Sequence, residues 1–458
     1  MNTSHNVNEK EKKPLITSAT SVLIFILALA LVRGVIYASL VPPWQAPDEP
    51  AQFERAKAAL KATDWNSTSE NPPAWYDDLS ASLYEFRWTD FLFHRGNLRK
   101  GTPLGQAIVL YHEVYGGQYG SRLTFAMIGF PAFFLTAQDI TLQFYLVRLN
   151  MVLMAVGVVY LSYLITRMIF PNNPFLFFGV PIFILFQPEH THLLGAVNNG
   201  NLTELLATIA LFFMVRGVIK GFSVLNFLAI LGFSLAAMWA KATGYFLFIP
   251  IGFVALFYLW QFRRYWRWLT LAVFVVAGAV LLFAPDRLNA LLHSAWHYLN
   301  AGQFYFNPEL LPTIFRTFWA SPGWITLQLH PFWYQLLVVA CVLAIVGLGV
   351  ALIRKWRLIF SPQFQRRTQA LIILGIAILA AFGVQVGWHI LTGTMSYRQG
   401  RTIYPVLVPI TIFLMLGWRQ FIPPAWQKTG LFAITLVFFL FDSLVLFDYI
   451  IPFFYSRY

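Results

Sequence analysis

The chain has 458 residues, a formal net charge of +13 and a mean hydropathy of +0.62, with 58% hydrophobic but only 11% charged side chains. About a quarter of a soluble globular domain is charged, so this composition excludes one. Repeated apolar runs of roughly 17–25 residues match a ~30 Å hydrocarbon core and imply an all-α polytopic membrane protein.

In chain order, a polar tail (residues 1–15) carrying Lys10, Lys12 and Lys13 precedes a first apolar run at 16–41. That run is too long for a signal-peptide core and lacks a clear small-residue cleavage site, so it reads as an uncleaved span. Further spans are expected at 145–168, 174–190, 201–218, 222–240, 244–262, 268–285, 333–353, 369–391, 403–418 and 430–451, about eleven in all. Every second connection is basic: Arg167, Arg216 with Lys220, Arg263 with Arg264 and Arg267, the cluster from Arg354 to Arg367, and Arg419 with Lys428. Those connections contain no Asp or Glu, which is the positive-inside pattern. It places the N-terminus in the cytoplasm and explains most of the positive charge without nucleic acid.

Residues 123–137 are apolar but short, with Pro131 midway. Counting them as a span would reverse every later connection, so they read as an interfacial or re-entrant helix on the outer face. Residues 42–144 then form one long, partly helical external loop within a single integral membrane domain (1–458). Residues 286–332 form a second external segment. The single cysteine, Cys341, excludes an intrachain disulfide and a thiolate metal cluster.

The first external loop begins Pro42-Pro-Trp-Gln-Ala-Pro-Asp-Glu-Pro-Ala-Gln-Phe-Glu-Arg55. Its prolines stop the first span, because proline lacks an N–H and restricts the residue before it. Phe53, Ala56, Ala59 and Leu60 then recur at helical spacing. Asp48 and Glu49 therefore stand near a helix N-terminus, where the dipole favours the ionised form. An ordinary acidic cap below a span is the bland alternative.

Other polar groups gather on the same side: Glu189, His190, His192, Asn198, Asn199, Glu204 and Lys241, then Trp324 and the run Tyr397-Arg-Gln-Gly-Arg-Thr-Ile-Tyr-Pro405. Charges near membrane depth are costly and mark a cavity, a pair or a site. Arg398 and Arg401 suit a bidentate fork for phosphate, against snorkelling to lipid headgroups as the alternative. Lys241 is either another anion-holding cation or an interfacial anchor. Glu189, His190 and His192 are metal-compatible types, although a His-x-His at a helix end is a weak signal. Arg33 and Asp442, both inside spans, are candidates to pair. No GxxxxGK, GxGxxG or His-Glu-x-x-His pattern is present.

A carboxylate pair after the first span, in a long external loop, resembles the GT-C superfamily of integral-membrane glycosyltransferases, which includes the protein mannosyltransferases and the aminoarabinose transferase. The ordered motifs at 42–53, Ala-Val-Asn-Asn-Gly-Asn-Leu (196–202), Phe-Trp-Ala-Ser-Pro-Gly-Trp (318–324) and Arg-Gln-Gly-Arg-Thr-Ile-Tyr-Pro (398–405) are similar to those of a bacterial family of polytopic membrane proteins placed near these enzymes. Gln52 stands where that family usually has His, Gly200 or Asn201 where it usually has Asp, and Ser-Pro-Gly-Trp where it commonly has Phe-Gly-Trp.

The resemblance implies transfer of a sugar from a polyprenyl-phosphate donor to an acceptor hydroxyl on the outer face of the cell membrane. Asp48 would be the general base and Glu49 would position Asp48 or the acceptor. Arg398, Arg401 and Lys241 would hold the donor phosphate; Gln52, Asn198, Asn199, Trp324 and Gln399 would contact substrate. No cofactor is expected, with a divalent ion at Asp48 left open because these enzymes differ in metal dependence. A flippase of lipid-linked sugars and a non-catalytic envelope scaffold are the competing classes.

Overall fold

The computed structural model describes residues 14–60, 76–88, 121–133, 139–261, 307–359, 365–393 and 399–456, with isolated positions between them. Among the described residues every regular element is helical. Seven helices are long and apolar enough to cross a membrane by length and composition: Ala19–Leu40, Ile140–Ile169, Asn199–Lys220, Pro331–Arg354, Gln365–Thr392, Gly400–Phe421 and Pro424–Tyr455. The chain is therefore a multi-pass helical membrane protein. Three other expected spans are shorter apolar helices, Pro174–Leu185, Val224–Ala240 and Ala242–Phe257. The one expected at 268–285 lies largely outside the described residues.

We label the elements α1 (Pro14–Leu40), α2 (Glu49–Leu60), α3 (Tyr76–Glu85), α4 (Arg122–Phe133), α5 (Ile140–Ile169), α6 (Pro174–Leu185), α7 (Pro188–Leu194), α8 (Asn199–Lys220) and α9 (Val224–Ala240). A 3-10 turn, Ala242–Leu247, leads into α10 (Phe248–Gln261). After α11 (Leu310–Trp319), α12 (Pro331–Ile359) and α13 (Gln365–Thr392), the 3-10 segment Gly400–Val406 opens α14 (Leu407–Trp418). The last elements are α15 (Gln427–Leu444), a π-helical stretch Val445–Ile450, and α16 (Ile451–Tyr455).

Local chemistry sets several boundaries. Asp139 caps α5 by accepting from the Thr141 N–H at 3.2 Å, and Asn173 caps α6 by accepting from Leu176 at 3.2 Å. The expected single span at 174–190 is broken in two. Pro188 cannot supply an N–H and pushes Gln187 into an extended conformation (φ −82°, ψ 110°), so α6 ends and α7 starts afresh. The side chain of Gln187 then caps α7 at the His190 N–H.

Within the bundle, α5 packs against α1, α6 and α8, and α8 packs along α9. Helix α4 covers 12 residues, a rise of roughly 18 Å and too short to span. It lies against α2 and α5. Arg122 donates to the Ala59 carbonyl at 3.1 Å, and Asn150 donates to the Met127 and Ile128 carbonyls at 3.1 and 3.0 Å. Arg33 and Asp442 do pair, joining the first long helix to the last. Asp442 also accepts from the Tyr37 hydroxyl at 2.6 Å, while Arg33 reaches the Leu185 carbonyl and the Thr191 hydroxyl. Two opposite charges that satisfy each other, with neighbouring polar groups taking the remaining bonds, remove the penalty either would carry alone in an apolar interior.

Candidate functional site

The proline-rich turn between α1 and α2 is built on two residues with left-handed backbones, Trp44 (φ 70°) and Asp48 (φ 65°). For aspartate this region is tolerated; for a bulky residue such as tryptophan it is a genuine outlier. Strain of this kind costs on the order of 1–3 kcal/mol and persists only where the surroundings over-determine it. Here they do. Trp44 is fully buried, donates from Nε1 to the Ser82 hydroxyl at 3.0 Å, and packs its ring on Phe53 and Phe144 with centroids 5.3 and 4.1 Å apart. Its carbonyl accepts from the Trp324 indole at 3.3 Å. Downstream, the Asp48 carbonyl accepts from the Gln52 N–H at 3.0 Å and so starts α2.

The two adjacent carboxylates part company at this helix start. Glu49 turns inward and is 0% exposed. It forms a two-pronged pair with Arg148 of α5, Nε to Oε1 at 2.8 Å and Nη2 to Oε2 at 2.7 Å. Glu49 also accepts from the Val197 N–H at 3.0 Å and the Ala46 N–H at 3.4 Å. Arg148 spends its other donors on the carbonyls of Ala38 (2.7 Å), Val41 (2.5 Å) and Pro42 (3.1 Å). Ala38 lies in the last turn of α1, whose carbonyls lack intrahelical partners, and Val41 and Pro42 follow directly after the helix. The pair thus fastens the end of α1, the proline turn, α2 and the Val197 loop to α5, with Glu49 out of reach of solvent.

Asp48 faces the other way. Its side chain is 27% exposed and its Oδ2 accepts from Arg401 Nη2 at 2.6 Å. Arg401 is 13% exposed, and its buried Nη1 has no hydrogen-bond partner among the described residues. The 3-10 segment Gly400–Val406 carries this arginine against α11. The Gly400 N–H donates to the Thr317 hydroxyl at 2.7 Å, and a Cβ on Gly400 would stand 2.3 Å from the Phe318 nitrogen, so only glycine permits the approach. Gln399 holds the segment from the other side. Its carbonyl accepts from Gln385 at 2.9 Å and from the Thr402 hydroxyl at 2.8 Å, while its side-chain Oε1 is buried and unpartnered.

Lys241, at the junction of α9 and the turn after it, shares the electrostatic surroundings of Asp48 and Arg401. Burial, and then the positive charges of Arg401 and Arg55, bring its ammonium down to about 8, with Asp48 pulling the other way. Its Nζ lies 3.4 Å from Asn198 Oδ1, which also caps α8 by accepting from the Gly200 N–H at 2.7 Å. Asn199 donates to the Ala240 carbonyl at 3.2 Å and leaves a buried Oδ1 without a partner. Gln52, one turn into α2, is buried and leaves Oε1 unpartnered.

Trp324 is buried, its ring edge-on to Trp88, so it acts on the proline turn through Trp44 and offers no open stacking face. Arg398 lies outside the described residues.

The metal-compatible residues on α7 do not converge. Glu189 Oε2 accepts from the Ser321 N–H at 2.7 Å, His190 pairs with Glu204 at 2.8 Å, and His192 Nε2 accepts from the Gly323 N–H at 3.1 Å. Glu189 and His192, three apart, face the same loop, while His190 turns away to Glu204, so the three do not gather on one point. Burial drives the Glu189 carboxyl up to about 8, against the Ser321 N–H and the Arg401 charge. Burial, with the charge of Arg148, drives His192 down to about 3 and keeps its imidazole neutral. Among the described residues no group of three or more His, Cys, Asp or Glu side chains gathers as a cation site.

Sequence reasoning passed over Arg148, although its signal is present: an arginine within a 30-residue apolar helix needs a carboxylate. It also missed the part that Glu189 and His192 play as backbone anchors, which nothing local in the sequence encodes.

No protein-family description matches the chain, and no curated protein matches it. Among solved structures it is similar to ArnT from Cupriavidus metallidurans in the apo state, at 17% identity and a TM-score of 0.40, over 90% of this chain and 62% of that one. It is also similar to ArnT from the same organism bound to undecaprenyl phosphate, at 16% identity and a TM-score of 0.44, over 95% and 74% of the two chains. The chain therefore spans less than two thirds of the length of the apo ArnT chain. A likeness of this size assigns neither a reaction nor a residue.

Proposed function

We propose that this protein is a membrane glycosyltransferase that moves a sugar from a polyprenyl-phosphate donor to an acceptor hydroxyl at the outer face of the cell membrane. The observation that carries the reading is the Asp48–Arg401 pair, a partly exposed carboxylate held at 2.6 Å by an arginine with a second, unpartnered nitrogen. Asp48 takes the proton from the acceptor hydroxyl as that oxygen attacks the anomeric carbon. The bond from that carbon to the phosphate oxygen breaks with inversion, and the electron pair leaves with the polyprenyl phosphate. A positioned base supplies about 10²–10⁴-fold.

Arg401 keeps Asp48 with Nη2 and offers Nη1 to the phosphate, so one guanidinium links the base to the leaving group. Lys241 adds a second cation where charge develops. Arg398, two residues before the Gly400–Val406 segment, is a third candidate for the phosphate. Gln52, Asn199 and Gln399 each carry a buried side-chain oxygen without a partner among the described residues, and Asn198 lies against Lys241; these four are the proposed contacts for sugar hydroxyls. Asp48 already has a cationic partner, so transfer is proposed to need no divalent ion, and a chelator should leave the rate unchanged.

The test is turnover of radiolabelled polyprenyl-phosphate sugars by the purified protein in lipid vesicles. Transfer or donor hydrolysis by the native protein, lost in Asp48→Asn, supports the enzyme. Donor movement between leaflets without turnover would replace it by a flippase. No binding across several donors would leave a non-catalytic envelope protein.

A further inference from the structure

The Trp44–Asp48 turn is strained and short, and it is held from outside α2 by a loop that belongs to another part of the chain. Residues Ser321–Ile325 form that loop, with Gly323 at φ 69° and Ile325 at φ 65°. A side chain at Gly323 would force a backbone conformation that L-residues rarely adopt, and Ile325 adopts it despite being β-branched. Two successive hydrogen bonds from α7 hold this loop, from the Ser321 N–H to Glu189 and from the Gly323 N–H to His192. Glu189 and His192 are three apart, so they stand on the same face of α7. The next residue of the loop, Trp324, donates its indole N–H to the Trp44 carbonyl. A continuous set of bonds therefore runs from α7 through the loop to the residue four before Asp48. Two of the four non-glycine left-handed backbones among the described residues, Trp44 and Ile325, lie in the segments it joins, and a third, Asp48, ends the turn it reaches.

We infer that Glu189 and His192 are positioning residues of the transfer site, acting through the Ser321–Ile325 loop and Trp324 to fix the turn that presents Asp48. The inference rests on the glycosyltransferase reading for its kinetic consequence, but its structural content is independent of that reading. Helix α7 is itself immobilised. Gln187 caps it, Thr191 meets Arg33, and His190 meets Glu204. A reference point must be more rigid than what it positions, and this helix is tied to α1 through Arg33 and to α8 through Glu204.

The carboxyl of Glu189 serves as an acceptor for one N–H, so a neutral amide of the same shape replaces it. A catalytic acid or base at this position would not survive that exchange. The imidazole of His192 likewise serves through Nε2, which a glutamine oxygen approximates.

The experiment is amide hydrogen exchange on the full-length protein in detergent, reading Trp44–Glu49 and Ser321–Ile325. Glu189→Ala and His192→Ala should each speed exchange in both segments by about ten-fold, the scale of one lost hydrogen bond. Glu189→Gln and His192→Gln should stay close to the native protein. Trp324→Phe keeps the ring but loses the donor, so it should speed exchange in Trp44–Glu49 alone, with an effect that does not add to that of Glu189→Ala. Faster exchange in Ser321–Ile325 with Trp44–Glu49 unchanged would overturn the inference, as would a Glu189→Gln protein that exchanges as fast as Glu189→Ala. In transfer assays Glu189→Ala should lower kcat about ten-fold with donor KM unchanged, and Glu189→Gln should restore it. A native protein without turnover but with the expected exchange pattern would remove the functional reading and leave the positioning network standing.

Discussion

Asp48 and Glu49 are adjacent, chemically alike and close to the same helix start, yet they have been put to opposite uses. Glu49 has both oxygens engaged by Arg148, receives two backbone N–H groups besides, and sees no solvent. Asp48 lies at the mouth of the same turn against an arginine that still has an unpartnered nitrogen. A pair whose bonding capacity is fully used can hold a structure but cannot exchange partners during a reaction. The proposed reaction uses the pair that still has capacity to spare.

Five substitutions would break or sharpen this contrast. The largest expected effect is at Asp48. Asp48→Asn keeps the left-handed backbone, which asparagine tolerates, and should lower transfer by about 10²–10⁴-fold while the melting temperature in detergent stays within a degree or two. Glu49→Ala and Arg148→Ala should do the reverse first. Each strands a buried charge, and should cost about 3–5 kcal/mol of stability, seen as poor yield and a lowered melting temperature before any kinetic measurement. If Glu49→Ala left stability intact and removed only activity, the division of labour would be wrong.

Arg401→Ala should come third, weakening donor binding by about 10–100-fold, the range for a lost charge-assisted hydrogen bond of ~1.5–3 kcal/mol, as read by titration with the polyprenyl phosphate. The smallest effect is expected at Lys241, and it is visible mainly through pH. Its ammonium is charged below about 8 in the free protein, and an anionic donor favours the charged form. Affinity should therefore be greatest below that pH and fall several-fold as pH rises through it. Binding of the donor itself raises the lysine's pKa, so the fall begins somewhat later when donor is saturating. Lys241→Gln should bind a few-fold less tightly at pH 7 and lose the pH dependence, and a slope that persists in that variant would assign it to another group.

The two ion pairs with intramembrane partners show how unevenly the site could be read from residues alone. Arg33 and Asp442 stand out because each is a single charge in an apolar run, and the structure joins them. Arg148 carries the same signal but is hidden by its position near the start of a long span, where an arginine passes for an interfacial one. Glu189, His190 and His192 are metal-compatible types but only a weak signal in the sequence. In the structure Glu189 and His192 hold the loop at Ser321 and Gly323, while His190 turns to Glu204. Trp324 is a candidate substrate contact by resemblance, and lies buried against Trp88 and Trp44.

What the sequence determined by itself are the properties that depend on near neighbours. Hydropathy over about twenty residues marks the spans, alternation of basic connections supplies an expected orientation, and prolines at 42, 43, 47 and 188 end or restart helices. The start of α2 at Asp48 and Glu49 belongs to the same class, because a helix start is a local event. The tertiary structure decided which way each carboxylate faces, which arginine each meets, and which loop holds the turn. Glu49 and Arg148 are 99 residues apart, Asp48 and Arg401 are 353 apart, and Trp44 and Trp324 are 280 apart. The backbone turn of one residue sends neighbouring side chains to different elements, and only the packed bundle specifies what waits there.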